Sequence, residues 1–393
     1  MQRAPWTTAS GSLAILLAMA FPSASAAPVR PSDDALVLAT VAAGSAEKSP
    51  RLRAERAALA SDRGNLKLAL QTARNAIEQG RANADPRSYG QAQAALSTWW
   101  TEPEPPTEIR LLRAVIRQAY HDFASAAADL DAIIAQSPGN AQARLSRAFV
   151  RMVTGDITGA GEDCRNLPPT LGAIVLEVCN ARVDALSGKA AEGYDRLAAT
   201  LKTDATSREA MRQFAAAVLA DMSIGLGRNE DATRFFAATE SPDVAQLAAH
   251  ADQLLDAGRP GEALDLLEGK GEADILILRR AIAAKRLKDP RLAGWSAILN
   301  ERFAAAAAGG IRVHLREEAR FRLEVEGDVG KALPLAIENW AVQKEPADAR
   351  LLLECAIASN DHGAAQPVLG FIRQTGLRDA RLTPLLARLG ERY

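Results

Sequence analysis

Apolar residues recur three and four positions apart through most of the chain, in runs of about a dozen residues, which predicts amphipathic helices. Short turn signals separate these runs, among them RGN at Arg63, TGD at Thr154 and EGD at Glu326. No stretch alternates apolar and polar positions with β-branched residues, so no strand is predicted. The pattern therefore predicts an all-α fold in which the helices are paired into hairpins.

A small residue stands five positions after the turn residue of each hairpin, and five of the eight intervals between successive small residues lie within four residues of 34. The small residues are Ala69, Ala126, Ala160, Gly193, Ala232, Ala263, Ala293, Ala332 and Ala365. Two helices that cross closely leave no room for a large side chain at the crossing point. A repeat of this length predicts a solenoid of helical hairpins.

The segment from Thr107 to Asn140 resembles the repeat unit of the tetratricopeptide repeat family, which pairs two helices in 34 residues. Ala114 and Ala126 stand at the family's eighth and twentieth positions, and Pro138 stands at its thirty-second. The next segment, from Ala141 to Leu167, repeats the pattern. The resemblance implies a right-handed superhelical solenoid that binds a protein or a peptide.

Residues 1–26 have the layout of a secretory signal peptide, with Arg3, the apolar run Leu13–Phe21 and a small-residue cleavage site ending at Ala26. An uncleaved membrane anchor is the alternative, although the run is about half the length of a membrane span. No cysteine follows the run to carry a lipid. We expect an exported protein without membrane insertion after cleavage. The Ala- and Arg-rich composition favours a bacterial periplasm.

The rest of the chain divides at a tract rich in tryptophan and proline. Residues 27–50 are expected to form a flexible leader, and residues 51–96 to form N-terminal hairpins. Residues 97–106 contain two tryptophans and three prolines, which cannot continue a helix, so they are expected to form an irregular joint. Residues 107–393 are expected to form the main solenoid.

Composition argues against several functions. With 47 basic and 48 acidic residues, a formal net charge of −1 and 5% aromatic residues, the chain has neither the field nor the stacking groups of a nucleic-acid-binding protein. No nucleotide-binding glycine motif, nucleophile elbow or zinc motif is present. The histidines, which have no metal-ligand spacing, are His121, His250, His314 and His362. We expect no metal, no cofactor and no enzymatic activity.

Arginines are spaced at i, i+3 and i+7 on the first helices of two successive repeats, and acidic residues stand at equivalent positions of the third. These residues are Arg110, Arg113 and Arg117, then Arg144, Arg147 and Arg151, then Glu177 and Asp184. Helical spacing puts each set on one face. The favoured interpretation is a ladder of charge pairs between stacked helices. The alternative is a contact for an anion or carboxylate.

The family positions that line a concave face hold mostly apolar residues. They are Leu111, Val115 and Gln118 in one repeat, and Leu145, Phe149 and Met152 in the next. We expect either a groove for a partner helix or extended peptide, or simple packing against neighbouring helices. The family's clamp for a C-terminal carboxylate is not expected, because its positions hold Glu108, Leu112, Gln142, Ser146, Val175 and Cys179.

Cysteine usage leaves two possibilities open. Cys164 and Cys179 stand at the end of one hairpin and the start of the next, where adjacent helices bring them close, and a disulfide suits an oxidising compartment. The alternative is three buried thiols, with Cys355 as the third.

The function that these observations favour is a non-enzymatic scaffold in the cell envelope, which binds a partner protein or peptide along its concave face. One alternative is an assembly or accessory factor of a secretion or polysaccharide-export machine, which rests on analogy of fold. The other is an enzyme built on helical repeats, which is disfavoured because no candidate acid, base or metal ligands converge.

Overall fold

The computed structural model describes residues 50–310 and 312–391. Within these ranges the chain forms twenty α-helices and no β-strand, so the prediction of an all-α fold is confirmed. The helices are α1 (Pro50–Ser61), α2 (Leu66–Asn83), α3 (Pro86–Ala95), α4 (Thr107–Ala119), α5 (Phe123–Gln136), α6 (Ala141–Thr154), α7 (Ile157–Arg165), α8 (Ala173–Leu186), α9 (Ala190–Thr203), α10 (Glu209–Gly225), α11 (Asn229–Ala237), α12 (Val244–Asp256), α13 (Pro260–Leu267), α14 (Asp274–Leu287), α15 (Leu292–Ala308), α16 (Leu315–Phe321), α17 (Val329–Val342), α18 (Pro346–Ala358), α19 (His362–Thr375) and α20 (Thr383–Arg388). Short 3₁₀ turns lie at Ser97–Trp99 and Pro169–Leu171, and a π-helical turn, Arg322–Glu326, extends α16.

The helices are organised as consecutive hairpins. Each even-numbered helix from α2 to α18 packs against the odd-numbered helix that follows it. Each even-numbered helix also contacts the next even-numbered helix, from α2 through to α20. We call this continuous stack of even-numbered helices the inner wall. The predicted array of stacked helical hairpins is therefore confirmed.

Side-chain caps explain why several of the turn signals end in aspartate. The carboxylates of Asp122, Asp156, Asp328 and Asp361 each accept a hydrogen bond from the backbone N–H three residues later, at the start of α5, α7, α17 and α19. Such a cap satisfies one otherwise unpaired N–H and stabilises the helix by about 1 kcal/mol. The second helix of these hairpins therefore begins at a residue that the sequence specifies.

Small residues occupy the crossing points of the hairpins, with one exception. Seven of the nine are alanines with no exposed surface, and Gly193 is also buried. A Cβ on Gly193 would lie 2.8 Å from the Asp184 Cβ, so glycine is required there. The prediction is wrong for Ala293, which is exposed. The hairpin of α14 and α15 instead buries the large side chains of Leu299 and Phe303.

The Trp/Pro-rich tract forms a short 3₁₀ turn followed by irregular chain up to the start of α4. Trp99 and Trp100 pack against the N-terminal hydrophobic cluster. Two arginines of the predicted rows hold the tract from α4: Arg110 donates to the Pro103 carbonyl at 2.9 Å, and Arg113 donates to the Trp100 carbonyl at 2.8 Å. Part of the arginine row therefore fixes this joint.

The array also closes on itself, which the repeat pattern did not predict. Residues 343–391, which we call the C-terminal segment, lie along the turns of the middle hairpins. The Lys344 N–H donates to the Val153 carbonyl at 2.8 Å, and the Ala380 N–H donates to the Gly225 carbonyl at 2.7 Å. Residues of α6, α7 and α8 share one buried core with residues of α18, α19 and α20.

A close backbone approach marks the middle of this contact. Gly188, in the turn between α8 and α9, has a φ of +75°, and a Cβ at that position would lie 2.5 Å from the Gly376 carbonyl oxygen. Glycine therefore meets two requirements here, the left-handed turn and the passage of the C-terminal segment.

The predicted signal peptide, 1–26, and the predicted leader except Pro50 lie outside the described residues. No helix in the described ranges combines the length and the hydropathy needed to cross a bilayer.

Candidate functional site

The six residues expected to line a concave groove do not form one open surface. Met152 is 5% exposed and lies in the core that α6 shares with the C-terminal segment. Leu145 and Phe149 are half-buried against the same core. The prediction of an open groove is wrong at these positions, because the chain's own C-terminal helices cover them.

The first-repeat members of that set are divided between two clusters. Leu111 packs with the apolar residues of α5 and α6, whereas Val115 packs with the N-terminal cluster of α1 to α4. Gln118 is half-buried near the end of α4. Packing against neighbouring helices, the alternative interpretation, describes the apolar members of the set.

Two of the three arginines of the first row are paired within their own hairpin. Arg113 donates to both oxygens of Asp129 on α5, at 2.9 and 2.6 Å, and Arg117 donates to the same carboxylate at 2.7 Å. Asp129 is almost fully buried. This shared carboxylate satisfies two guanidinium groups, so they are not free to capture an anion.

The second row repeats this arrangement. Arg144, Arg147 and Arg151 all donate to Asp163 on α7, at 3.3, 2.6 and 2.9 Å. Arg147 also donates to Asp131 on α5 at 2.6 Å, and this is the contact of the row that joins two hairpins. The hydrogen bonds to Asp163 and Asp131 raise the pKa of Arg147.

In the hairpin of α8 and α9 the acidic residues lie on the first helix and the arginine lies on the second. Glu177 and Asp184 on α8 both accept from Arg196 on α9, the Glu177 contact at 2.9 Å. The acids therefore do not pair with the arginine rows, and the predicted ladder between stacked helices is wrong for these residues. The sequence carried a signal for the correct partners, because Asp129 and Asp163 are themselves 34 residues apart.

Cys164 and Cys179 form a disulfide in the structure, with a Cα–Cα distance of 5.6 Å. The bond joins the last turn of α7 to the first half of α8, and so links two successive hairpins. Cys355 remains a buried thiol, and desolvation raises its pKa to about 12.

A cavity of about 260 Å³ opens on the inner wall. Five successive even-numbered helices line it, α10, α12, α14, α16 and α18, together with Arg381 from the C-terminal segment. Its charged lining consists of Asp221, Asp252, Asp256, Glu317, Glu354, Arg279, Arg316, Arg320, Arg350 and Arg381. Because every lining helix is of the even set, the cavity is a property of the inner wall.

Every arginine that lines this cavity has a carboxylate partner. Arg279 and Arg320 both donate to Asp252, which joins α12, α14 and α16. Burial alone raises the pKa of Asp252, but the two arginines outweigh burial and lower that pKa to about 2. Arg350 binds Asp256 through two hydrogen bonds of 2.6 and 2.8 Å.

The remaining arginines are paired behind the cavity surface. Arg316 donates to Asp348 at 2.6 Å and to Glu345 at 2.6 Å, and Arg381 donates to Asp379 at 2.6 Å. Fixed pairs of this kind hold the lining side chains in place.

Two lining carboxylates, in contrast, form no ion pair with any described residue. Asp221 on α10 is exposed to the cavity, and Glu317 on α16 is half-buried. Protein surrounds Asp221, and the resulting desolvation raises its pKa, which Arg381 and Arg182 partly offset. The cavity therefore presents paired arginines and two acids that have no ion-pair partner among the described residues.

Sequence reasoning missed this lining, although a weak signal was present. Asp252 and Asp256, Arg316 and Arg320, and Arg350 and Glu354 are each spaced at i and i+4 on even-numbered helices. Such pairs lie on one helix face. Their convergence depends on the curvature of the array, which spacing within one helix does not encode.

A second cavity of about 300 Å³ adjoins the first, since Ile275, Arg316 and Glu317 line both. It also contains His121, whose Nε2 lies 3.3 Å from the Gln343 Nε2, and His314. No group of three or more His, Cys, Asp or Glu side chains in the described part of the chain is arranged to hold a metal ion.

Comparison with known proteins finds low similarity in both sequence and structure. No protein-family model matches the chain, and no curated protein matches it. A tetratricopeptide repeat protein from Parabacteroides merdae is 15% identical, covers 59% of this chain and 93% of its own, and has a TM-score of 0.38. The tetratricopeptide repeat domain of P58(IPK) is 13% identical, covers 83% of this chain and 98% of its own, and has a TM-score of 0.23. The repeat architecture is therefore established by the chain's own hairpins.

Proposed function

We propose that this protein is a non-enzymatic scaffold that binds a partner protein or peptide on its inner wall. The observation that carries the proposal is the cavity formed by five successive even-numbered helices, which leaves that side of the array open between α10 and α18. Its charged groups are mostly fixed to each other in pairs. A catalytic site instead brings a reactive group and its acid or base together around a reacting atom.

An exposed aromatic residue extends this surface beyond the cavity. Phe214 lies seven residues before Asp221 on α10, so it is on the same face of that helix, and 47% of its surface is exposed. Large apolar side chains exposed on a binding face commonly anchor a partner. Repeated hairpins hold such a surface rigid, which limits the conformational entropy lost on binding.

We further propose that the protein works after export, in the periplasm. Two features support this location: the signal-peptide layout of residues 1–26, and the disulfide between Cys164 and Cys179, which persists in oxidising compartments. A role as an assembly or accessory factor of a secretion or polysaccharide-export machine is a more specific form of the same proposal.

Photo-crosslinking in the native host tests the binding role. A photoreactive amino acid at Phe214, on the inner wall, is expected to capture a discrete partner. The matched control is Ile337 on the odd-numbered helix α17, which is 45% exposed and equally apolar. Capture of the same species at both positions, or of none at Phe214, would contradict the proposal.

A further inference from the structure

The charge balance of the cavity indicates what kind of partner group it accepts, given the binding role proposed above. Its five arginines are each neutralised by a carboxylate within 4.0 Å. Asp221 and Glu317 contribute negative charge that no described residue neutralises by an ion pair. An anion entering the cavity meets guanidinium groups already occupied, whereas a cation meets two available carboxylates.

The chain's own C-terminal segment already places a cationic side chain in this cavity. Residues 376–379 form no helix, and the Ala380 N–H that follows donates to the Gly225 carbonyl at the end of α10. The next residue, Arg381, lines the cavity, and its charge acts on Asp221 by opposing the rise that burial causes in the pKa of that carboxyl group. The inner wall thus holds this irregular segment through the Ala380 backbone hydrogen bond, and the Arg381 guanidinium, which is paired with Asp379 of its own segment, lies at the cavity.

The size of the cavity limits what else it holds. Pockets for drug-sized ligands are about 300–1,000 Å³, so a cavity of about 260 Å³ suits a side chain better than a cofactor. Phe214, on the same face of α10, offers an aromatic surface for the aliphatic stem or the charged head of a lysine or arginine.

We infer that the cavity binds a lysine or arginine side chain from an extended basic segment of the partner, with Asp221 and Glu317 as the carboxylates that receive it. Arg381 of the chain's own segment occupies the neighbouring position. The inference rests on the proposed binding function and specifies the chemistry of the partner.

Fluorescence anisotropy with synthetic peptides tests it on the full mature chain. A fluorescent peptide of alternating lysine and alanine is expected to bind, and its glutamate–alanine counterpart is not. Asp221→Asn and Glu317→Gln are each expected to weaken binding about tenfold, since each removes one charge-assisted contact. Asp195→Asn, an exposed carboxylate on α9, is the control and should leave binding unchanged.

Two results would overturn the inference: equal binding of the acidic peptide, or unchanged lysine-peptide binding in both inner-wall variants. Full competition by spermidine at the concentration of the peptide would also overturn it, because an extended segment would then be unnecessary. Asp221 makes no ion pair, so Asp221→Asn should melt at the wild-type temperature. Glu317→Gln on α16 provides an independent second variant.

The partner captured at Phe214 separates this inference from the proposed function. Mass spectrometry of the adduct is expected to show lysine or arginine in the crosslinked segment, and Asp221→Asn should reduce the adduct. A discrete adduct on a segment without basic residues would preserve the binding role and refute the basic-segment inference. Absence of any adduct would refute the binding role itself.

Discussion

At the scale of the residue, the Asp163 carboxylate is the shared partner of a whole arginine row. Its side chain is 1% exposed and accepts hydrogen bonds from three half-buried arginines of α6. Buried charge is tolerated only when it is paired and hydrogen-bonded. The arginine row is therefore a structural device that joins the two helices of a hairpin.

Replacing this carboxylate should destabilise the protein strongly. Asp163→Asn is expected to lower the free energy of unfolding by about 3 kcal/mol, because three guanidinium groups lose their shared negative charge. Asp131→Asn removes an exposed partner of Arg147 and should cost less than about 1 kcal/mol. Urea titrations followed by circular dichroism measure both. Equal costs would show that the Asp163 network contributes no more than a surface pair.

His121 gives the stability of the protein a pH dependence with a defined sign. Burial is the main cause that lowers the pKa of His121 below its usual value of 6.5. The charges of Glu317 and Glu345 oppose this decrease, whereas Arg316 and His314 add to it. Because the unfolded chain then binds more protons, stability is fully present above about pH 6.5 and falls as the pH decreases toward the folded pKa.

The test compares the wild type with His121→Gln between neutral and mildly acidic pH. The variant should lose less stability over this range than the wild type, since it removes one group that must gain a proton in a buried site. His250, whose pKa burial also lowers, remains in both proteins and serves as a common background. Identical pH profiles would contradict the role assigned to His121.

At the scale of the element, the disulfide joins two successive hairpins, one formed by α6 and α7 and the other by α8 and α9. Closing a loop of 15 residues stabilises a protein by about 3 kcal/mol in the chain-entropy model. We expect denatured, unreduced protein to contain one reactive thiol, Cys355, and reduced protein to contain three. A thiol assay gives this count directly. Three thiols before reduction would favour the alternative of unpaired cysteines.

The hairpins themselves could be predicted because their determinants are local. A capping aspartate, a turn and a buried small residue recur at a fixed interval, and each acts within one or two helices. The prediction is wrong for Ala293, where α15 packs through large residues instead. It is also wrong for the partners of the arginine rows, since spacing identifies a charged face but not which neighbouring helix meets it.

At the scale of the whole molecule, closure converts a stack of hairpins into a structure with an interior. The C-terminal segment covers Met152 and supplies Arg350, Glu354 and Arg381 to the cavity. These contacts join positions far apart in sequence, and no periodic pattern relates them. The predicted open groove and the observed cavity differ for this reason.

Alanine substitutions at two turn glycines separate the stability that closure contributes from the cost of a left-handed backbone. Gly188 and Gly258 have φ angles of +75° and +70°, but only Gly188 faces the C-terminal segment, with Gly376 in contact. Alanine at either site should cost about 1–2 kcal/mol for the left-handed backbone, and Gly188→Ala should cost about 1–3 kcal/mol more for the steric conflict. Urea midpoints compare the two variants, and equal losses would mean that the contact contributes nothing.

The distance between the middle hairpins and the C-terminal segment tests closure most directly. Spin labels on Lys189 and Arg378, which are exposed on either side of the contact between Gly188 and Gly376, report it by pulsed electron resonance. A closed array predicts a short distance with a narrow distribution. A long, broad distribution, as in an extended solenoid, would contradict closure and remove the cavity that it helps to form.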